Sequence, residues 1–417
     1  MSPGAASTRR RAVAAASATV IVVVTGLLAV PAAARLPRPD PQGKAAIVVD
    51  ARSGEVLLDE GADERHQIAS TTKLMTALLV LERARLDAVF RAPRYEADAV
   101  ESQIGLKTGE RMRVRDLLAA LLLESANDAA ATIARNVSGS RRAFVRDMNA
   151  RARALGLRST RYQNPIGFDS ARNRSSARDL ATLARLLLRN PTFARIVDRP
   201  AARLRSGARR RVVRNRNNLV VNEPFVAGVK TGHTSKADFV LVGAGERRGA
   251  RVVSVVLGAP SEAARDESTL ALLRWGVDQF RRVRVVRDGR PVTTLPVDGR
   301  DGERVGLETS GAVTVTARRG RRPTLLVRSP EEVQGPLPAG SRTGAVEVRD
   351  GGRVLRTAPL VTSAAVAAPE PLADLRTPAG LAATAAVVML VLLGGAALVW
   401  VRSRRSARRG AAAVGGR

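Results

Sequence analysis

From Gly380 to Val401 the chain runs for 22 residues without a charge, and RSRRSARR follows at once. About 20 apolar residues suffice for a helix to cross a bilayer, and an excess of Arg and Lys marks the cytoplasmic flank. This pattern constrains everything upstream. The bulk of the chain is expected outside the cytoplasm, tethered by a membrane helix at 380–401 with a basic cytoplasmic tail at 402–417. The N-terminus agrees. Arg9, Arg10 and Arg11 precede an uncharged run from Ala12 to Val30, followed by Pro31 and Ala32-Ala33-Ala34. Basic, apolar and small-residue segments in that order read as a secretory signal peptide over 1–34, the alternative being an uncleaved anchor. The expected location is the cell membrane, single-pass, with the main body on the extracellular side.

Composition removes several chemistries. There are no cysteines, which excludes disulfides, thiol nucleophiles and cysteine metal sites. The two histidines, His66 and His233, are too few for a multi-histidine zinc centre, so no metal and no cofactor is expected. A serine–histidine triad has only those two candidate bases. The net charge is +31. An exported basic surface suits anionic lipids or wall polymers. Nucleic acid is not an expected partner, because the chain is exported and only 3% aromatic. Much of the arginine also reads as coding bias on a solvated surface. That bias makes lysine informative. Of 69 basic residues only Lys44, Lys73, Lys107, Lys230 and Lys236 are lysine, and lysine, unlike arginine, can shed its proton and act as a base.

Between the ends, 35–43 is a Pro-rich linker. Residues 45–61 hold two strand-like runs around a Ser-Gly turn, a hairpin. A nearly all-apolar, hence buried, helix is expected from Ser70 to about Arg85. A second apolar helix covers Leu117–Leu123, and further helical segments follow. DFVLVGAG and RVVSVVLGA are strand-like, and STLALLRWGVDQF closes the segment as a helix. Strands at both ends of a helical body predict an α/β (α+β) domain at 44–280, its mixed or antiparallel sheet covered by helices. Short strands and Asp-Gly turns at 281–363 predict a small all-β domain, and 364–379 a linker to the membrane helix.

Three short motifs carry possible chemistry. Ser70 and Lys73 stand three apart, on one face of the expected helix and near its N-terminus. Desolvation lowers a lysine's pKa, so this pair can serve as nucleophile and base; it can equally be a capping serine beside a lysine that reaches for solvent. Ser125-Ala126-Asn127 follows an apolar helix and on its own fits a helix cap. Lys-Thr-Gly occurs twice. The copy at 107–109 looks like a solvated turn. The copy at 230–232 lies between apolar FVAGV and a strand, where one ammonium and one hydroxyl can grip a carboxylate and Gly232 lets a backbone approach closely.

The order SxxK, SxN, KTG resembles the low-molecular-mass penicillin-binding proteins, specifically the serine-type D-alanyl-D-alanine carboxypeptidases. The resemblance spans about 44–280. It extends to AAIVVDARSGEVL, ASTTKLMT, LLLESANDAA, NPIGFD, SSARDLATLA, NRNNL and GVKTGHT, and the β domain and C-terminal anchor match the family's layout. It implies a β-lactamase/penicillin-binding-protein-like catalytic domain. It implies that Ser70 attacks the D-Ala-D-Ala carbonyl, Lys73 takes its proton, and Ser125 relays a proton to the leaving D-alanine. Asn127 would hold the substrate amide, Lys230 and Thr231 the terminal carboxylate, with Gly232 beside them. The backbone N–H groups of Ser70 and His233 would form the oxyanion hole. Arg265 would assist carboxylate binding. The implied partners are the peptidoglycan stem peptide ending in D-Ala-D-Ala and, as covalent inhibitors, β-lactam antibiotics. Two positions depart from the family: Ile68 replaces a usual proline, and Asp238 a small residue, often glycine.

The same motifs serve other activities. A β-lactamase of the nearest type needs a deacylating glutamate between the second and third motifs. Only Glu223 lies there, without a recognisable loop around it. A D,D-endopeptidase cutting cross-links uses the same three motifs. A non-catalytic penicillin-sensing or wall-binding membrane protein would keep the site but not turn over.

Overall fold

The computed structural model describes residues 19–24, 36–98, 101–369 and 378–411. The chain divides into two compact units, one of Val30–Arg282 with Arg318–Gly320, the other of Met1–Ala29, Val283–Ala317 and Arg321–Arg417.

The first unit is built on a five-stranded sheet in the spatial order Val226–Thr234, Asp238–Arg247, Ala250–Ala259, Ala45–Asp50, Val56–Glu60. Every neighbouring pair is antiparallel. Both faces of this sheet are buried, which explains why AAIVVD and RVVSVVLGA are apolar throughout rather than alternating. Successive side chains leave a strand on opposite faces. Thus Ile47 and Val49 join the main core with Leu74, Met75 and Leu117. Ala46 and Val48 face the other way, onto Leu272, Leu273 and Val277 of the closing helix Glu262–Asp278. The sheet is antiparallel and sandwiched by helices, as the α/β (α+β) reading expects.

The helix expected to begin at Ser70 starts differently. Ala69–Thr72 form a turn of 3₁₀ helix, and the α-helix runs Lys73–Arg83, buried from Lys73 through Val80. The second apolar helix is also composite: α-helical over Val114–Ala119, then a wider π turn over Ala120–Glu124. The first irregularity contains Ser70 and the second ends immediately before Ser125. Wide turns of this kind recur at functional sites, where they re-aim the next side chain.

The second unit is built of β-strands up to Thr362, with one helix at its C-terminal end. Its main sheet has the order Thr19–Val24, Thr324–Pro330, Arg342–Asp350, Arg353–Thr362, Arg304–Thr309, Thr293–Pro296. Phe280–Val286 and Val313–Arg318 form a second, two-stranded sheet. Alternation along Val313–Arg318 is strict, with Val313, Val315 and Ala317 buried. Thr19–Val24, inside the apolar run of the expected leader, is a strand in antiparallel register with Thr324–Pro330; the rest of that leader lies outside the described residues. At the other end Pro378–Ala411 is one helix, and its segment Leu381–Trp400 is long and apolar enough to cross a membrane. With the basic flank after Val401, this one span among the described residues makes the chain a single-pass membrane protein with its bulk on the extracellular side.

Candidate active site

The 3₁₀ turn brings Ser70 Oγ within 3.0 Å of Lys73 Nζ. The lysine is wholly buried, and its Nζ also donates to the carbonyl of Ile166 at 2.6 Å. Burial pushes the Lys73 pKa well below the ordinary lysine value. The neighbouring charge of Lys230 pushes the same way and Glu101 opposes both. A neutral amine held by one N–H to a carbonyl presents its lone pair to a hydroxyl. This is the arrangement of a serine nucleophile and its base. The partner of Ser70 is therefore a lysine and not a histidine. The ring of His233 is occupied elsewhere, stacked on Phe239 with centroids 4.1 Å apart.

The carbonyl of Ile166 is set by a small backbone device. Asn164 Oδ1 accepts the N–H groups of Ile166, Gly167 and Phe168 at 3.2, 2.6 and 3.1 Å, an Asx-type turn. Thr76 Oγ1, one turn along from Lys73, donates to Pro165 O at 2.7 Å. The Asn164–Phe168 segment is thus clamped onto the helix that carries the lysine. At Gly167, φ is +103° and the missing Cβ would fall 2.0 Å from Ala69 O and 2.9 Å from Ser70 N. The loop touches the backbone of the Ser70 turn there.

The π turn ends at Ser125, buried and left-handed with φ +61°. Such a conformation is uncommon for a non-glycine residue and points to a local constraint. Asn127 opens the next helix. Arg216 pairs with Glu124 at 2.7 Å and donates its N–H to Leu123 O, while Asn217 Nδ2 donates to Gly228 O at 3.0 Å. The NRNNL block therefore ties the Ser125 loop to the strand Val226–Thr234.

That strand carries Lys230, Thr231, Gly232 and His233. Its Gly232 lies against the Ser70 turn: a Cβ would meet Ser70 N at 3.0 Å and Ala69 Cβ at 3.1 Å. The backbone that this glycine admits is the protein's own. The glycine of the other Lys-Thr-Gly copy, Gly109, has nothing within 4 Å, and its segment is the turn expected there. Geometry selects the copy at 230. Lys230 is buried and its Nζ donates to Thr231 O at 2.9 Å. Burial first, then the charges of Arg216 and Arg265, lower its pKa to about 7, against the opposing pull of Glu124.

Ser70, Asn127 and His233 line one cavity of about 590 Å³ together with Glu101 and the 166–169 loop. Lys73, Ser125, Lys230, Thr231 and Gly232 are not among its lining residues, and neither is Arg265. Its guanidinium is buried and committed to Glu262 and Asp266, each at 2.8 Å, and lies 5.9 Å from the Phe239 ring centre. Asp238 is left-handed, φ +54°, which is the backbone a glycine would favour, and its carboxylate pairs with Lys44 at 2.7 Å. Ile68 is fully buried and its carbonyl accepts both Thr71 N–H and Thr71 Oγ1–H, so the proline-to-isoleucine departure leaves the turn intact. Sequence reasoning did not single out Glu101, Tyr95 or Asn164. For Asn164 the Asn-Pro…Gly spacing is a turn signal; the role of the carbonyl beside it has no residue signature.

A buried lysine against a serine, with a polar loop and a lysine-bearing strand closing on them, defines a serine acyl-transfer enzyme of the penicillin-recognising fold. A family profile described as Peptidase_S11, D-alanyl-D-alanine carboxypeptidase, matches residues 32–261, and the chain belongs to that family. It is 31% identical to the D-alanyl-D-alanine carboxypeptidase DacA of Escherichia coli K12 over 335 residues, 76% of this chain and 81% of that one. Among solved structures it resembles the Streptomyces K15 DD-transpeptidase (30% identity, TM-score 0.55, 58% of this chain and all of that one). It also resembles penicillin binding protein 5 from Haemophilus influenzae (25% identity, TM-score 0.57, 80% and 99%).

Proposed function

We propose that this protein is a serine D,D-carboxypeptidase that removes the terminal D-alanine from peptidoglycan stem peptides, with residues 44–280 as the catalytic domain. The observation that carries the reading is the contact of Ser70 Oγ with a buried Lys73 Nζ that is also fixed by Ile166 O. In this reading Ser70 Oγ attacks the penultimate D-alanine carbonyl carbon as its proton passes to Lys73. The oxyanion that forms is met by the backbone N–H groups of Ser70 and His233. The C–N bond then breaks. The leaving amine takes a proton by way of Ser125, and water hydrolyses the acyl-enzyme. Asn127 holds the peptide amide. Lys230 and Thr231 hold the terminal carboxylate, and Gly232 keeps that strand close to Ser70. Arg265, committed to Glu262 and Asp266, contributes its charge to the Lys230 environment. A β-lactam acylates the same serine and stays. The all-β domain at 281–363 and the segment at 364–379 connect this domain to the membrane helix, and 1–34 directs export.

The test uses the detergent-solubilised full chain. A labelled penicillin is expected on Ser70 by peptide mass mapping, and a peptide ending in D-Ala-D-Ala is expected to release D-alanine. Label without release would replace this reading with a D,D-endopeptidase or a penicillin sensor. No label on Ser70 would remove the site assignment.

The two lysines give the pH dependence its sign. Lys73 acts as a neutral base, so kcat/KM rises as pH passes upward through its lowered pKa. Lys230 acts as a cation, so substrate capture declines as pH rises through about 7. A bell-shaped profile results, with a descending limb in the neutral range. Replacing Lys230 by arginine, which stays protonated, is expected to move that limb upward beyond pH 9. A limb unmoved in Lys230→Arg would show that another group titrates there.

A further inference from the structure

Glu101 stands in the active cavity with no part in the scheme above. Its carboxylate accepts from Asn127 Nδ2 at 2.8 Å. The same oxygen, Oε2, accepts from the Tyr95 hydroxyl, and the other, Oε1, accepts from the backbone N–H of Asp98 at 2.9 Å. The next residue, Ser102, accepts the backbone N–H of Asn127 at 2.8 Å. Asn127 is therefore held at side chain and main chain by two consecutive residues more than twenty positions upstream. Glu101, Asn127 and Ser70 line the same cavity.

An amide side chain has two unlike ends, a donor NH₂ and an acceptor oxygen. Rotation by half a turn exchanges them at little cost unless a neighbour discriminates. An ionised carboxylate discriminates completely, because it only accepts. We propose that Glu101 is a positioning residue that fixes the Asn127 amide in one orientation. One N–H is committed to Glu101, leaving the second N–H and Oδ1 to read the donor and acceptor of the peptide bond. Tyr95 and the Asp98 N–H hold the carboxylate itself in place, so the orientation is set before substrate arrives. Pre-setting of this kind removes an ordering cost from binding and acylation. The inference rests on the acyl-transfer reading of Ser70 and Asn127 given above.

The experiment measures the second-order rate of Ser70 acylation by a labelled penicillin, together with thermal unfolding, in the full-length protein and two variants. Glu101→Ala removes the discriminating acceptor and is expected to slow acylation about tenfold, the usual effect of losing one charge-assisted hydrogen bond. Glu101→Gln can still turn its carbonyl to the Asn127 N–H, and it is expected to recover the rate to within about threefold of wild type. A purely structural role would make both rates follow the melting temperatures instead. Should Glu101→Ala not fold, Tyr95→Phe deletes only the hydroxyl that holds the carboxylate. It is expected to slow acylation by a smaller factor. An alanine variant as fast as wild type, or a glutamine variant as slow as alanine, would overturn the proposal while leaving the function intact. A wild-type protein that takes no label on Ser70 would overturn both.

Discussion

Ser70→Ala is expected to abolish covalent labelling by penicillin and to lower D-alanine release by on the order of 10⁵-fold or more, the loss seen when a serine hydrolase loses its nucleophile. That corresponds to about 7 kcal/mol of barrier, far above the stability cost of removing one hydroxyl. The geometry supports a clean separation. Among the described residues Ser70 Oγ hydrogen-bonds Lys73 alone, and Lys73 keeps its second anchor on Ile166 O, so the fold and the cavity persist. The cavity in Ser70→Ala should still bind peptide, read as fluorescence or calorimetric titration without turnover. Lys73→Met is the companion experiment. It leaves the nucleophile and removes the base, so labelling should persist at a rate lower by about 10²–10⁴-fold. Lys73→Arg should not restore it, since guanidinium stays protonated. A Ser70→Ala protein that still takes label would place the nucleophile elsewhere. A Lys73→Arg protein with normal rates would remove proton transfer from the role of that lysine.

The contrast between Ser70 and its surroundings shows what the sequence could and could not disclose. Identity and spacing place Ser70 and Lys73 together, because any helical turn brings residues three apart onto one face. Apolar runs with no alternation imply a sheet covered on both sides, and Ile47 and Val48 do point into different cores. The two Lys-Thr-Gly copies are identical as words. Only their flanks differed, FVAGV against a polar turn, and that difference anticipates the crowding at Gly232 and the open space at Gly109. What stayed hidden is carried by main chain and by distance. Ile166 supplies a carbonyl, which every residue has, across 93 positions. Glu101 meets Asn127 across 26 positions through a carboxylate that composition alone assigns to solvent. The resemblance implies that Arg265 assists carboxylate binding; its ion pairs with Glu262 and Asp266 of its own helix carry no sequence signature that separates them from that role. The 3₁₀ start at Ala69 and the π turn before Ser125 are tertiary choices, since ASTT and ALLLE satisfy an ordinary helix equally well.

Gly167→Ala is expected to disable acylation without touching any residue that reacts. Two penalties coincide at this position. The backbone is at φ +103°, where an L side chain is strained by about 1–3 kcal/mol. The added methyl would also stand 2.0 Å from Ala69 O and 2.9 Å from Ser70 N, both main-chain atoms that no rotamer change can move aside. Relief requires the 164–168 segment to retreat from the nucleophile's turn. That retreat draws Ile166 O away from Lys73 Nζ, and the lysine, wholly buried, loses the acceptor that holds its neutral form in line with Ser70. Misplacement by about 1 Å at such a contact lowers a rate by on the order of 10²-fold. Gly109→Ala supplies the control, because it carries a comparable left-handed φ of +81° and meets nothing within 4 Å. It should lose about 1 kcal/mol of stability and keep its acylation rate. The measurement pairs the penicillin acylation rate with the melting temperature for each variant. If both glycine variants lose rate only in proportion to melting temperature, the loop is merely part of the scaffold. If Gly167→Ala loses about 10²-fold or more while still folded, the close approach of this loop to Ser70 is part of the catalytic geometry.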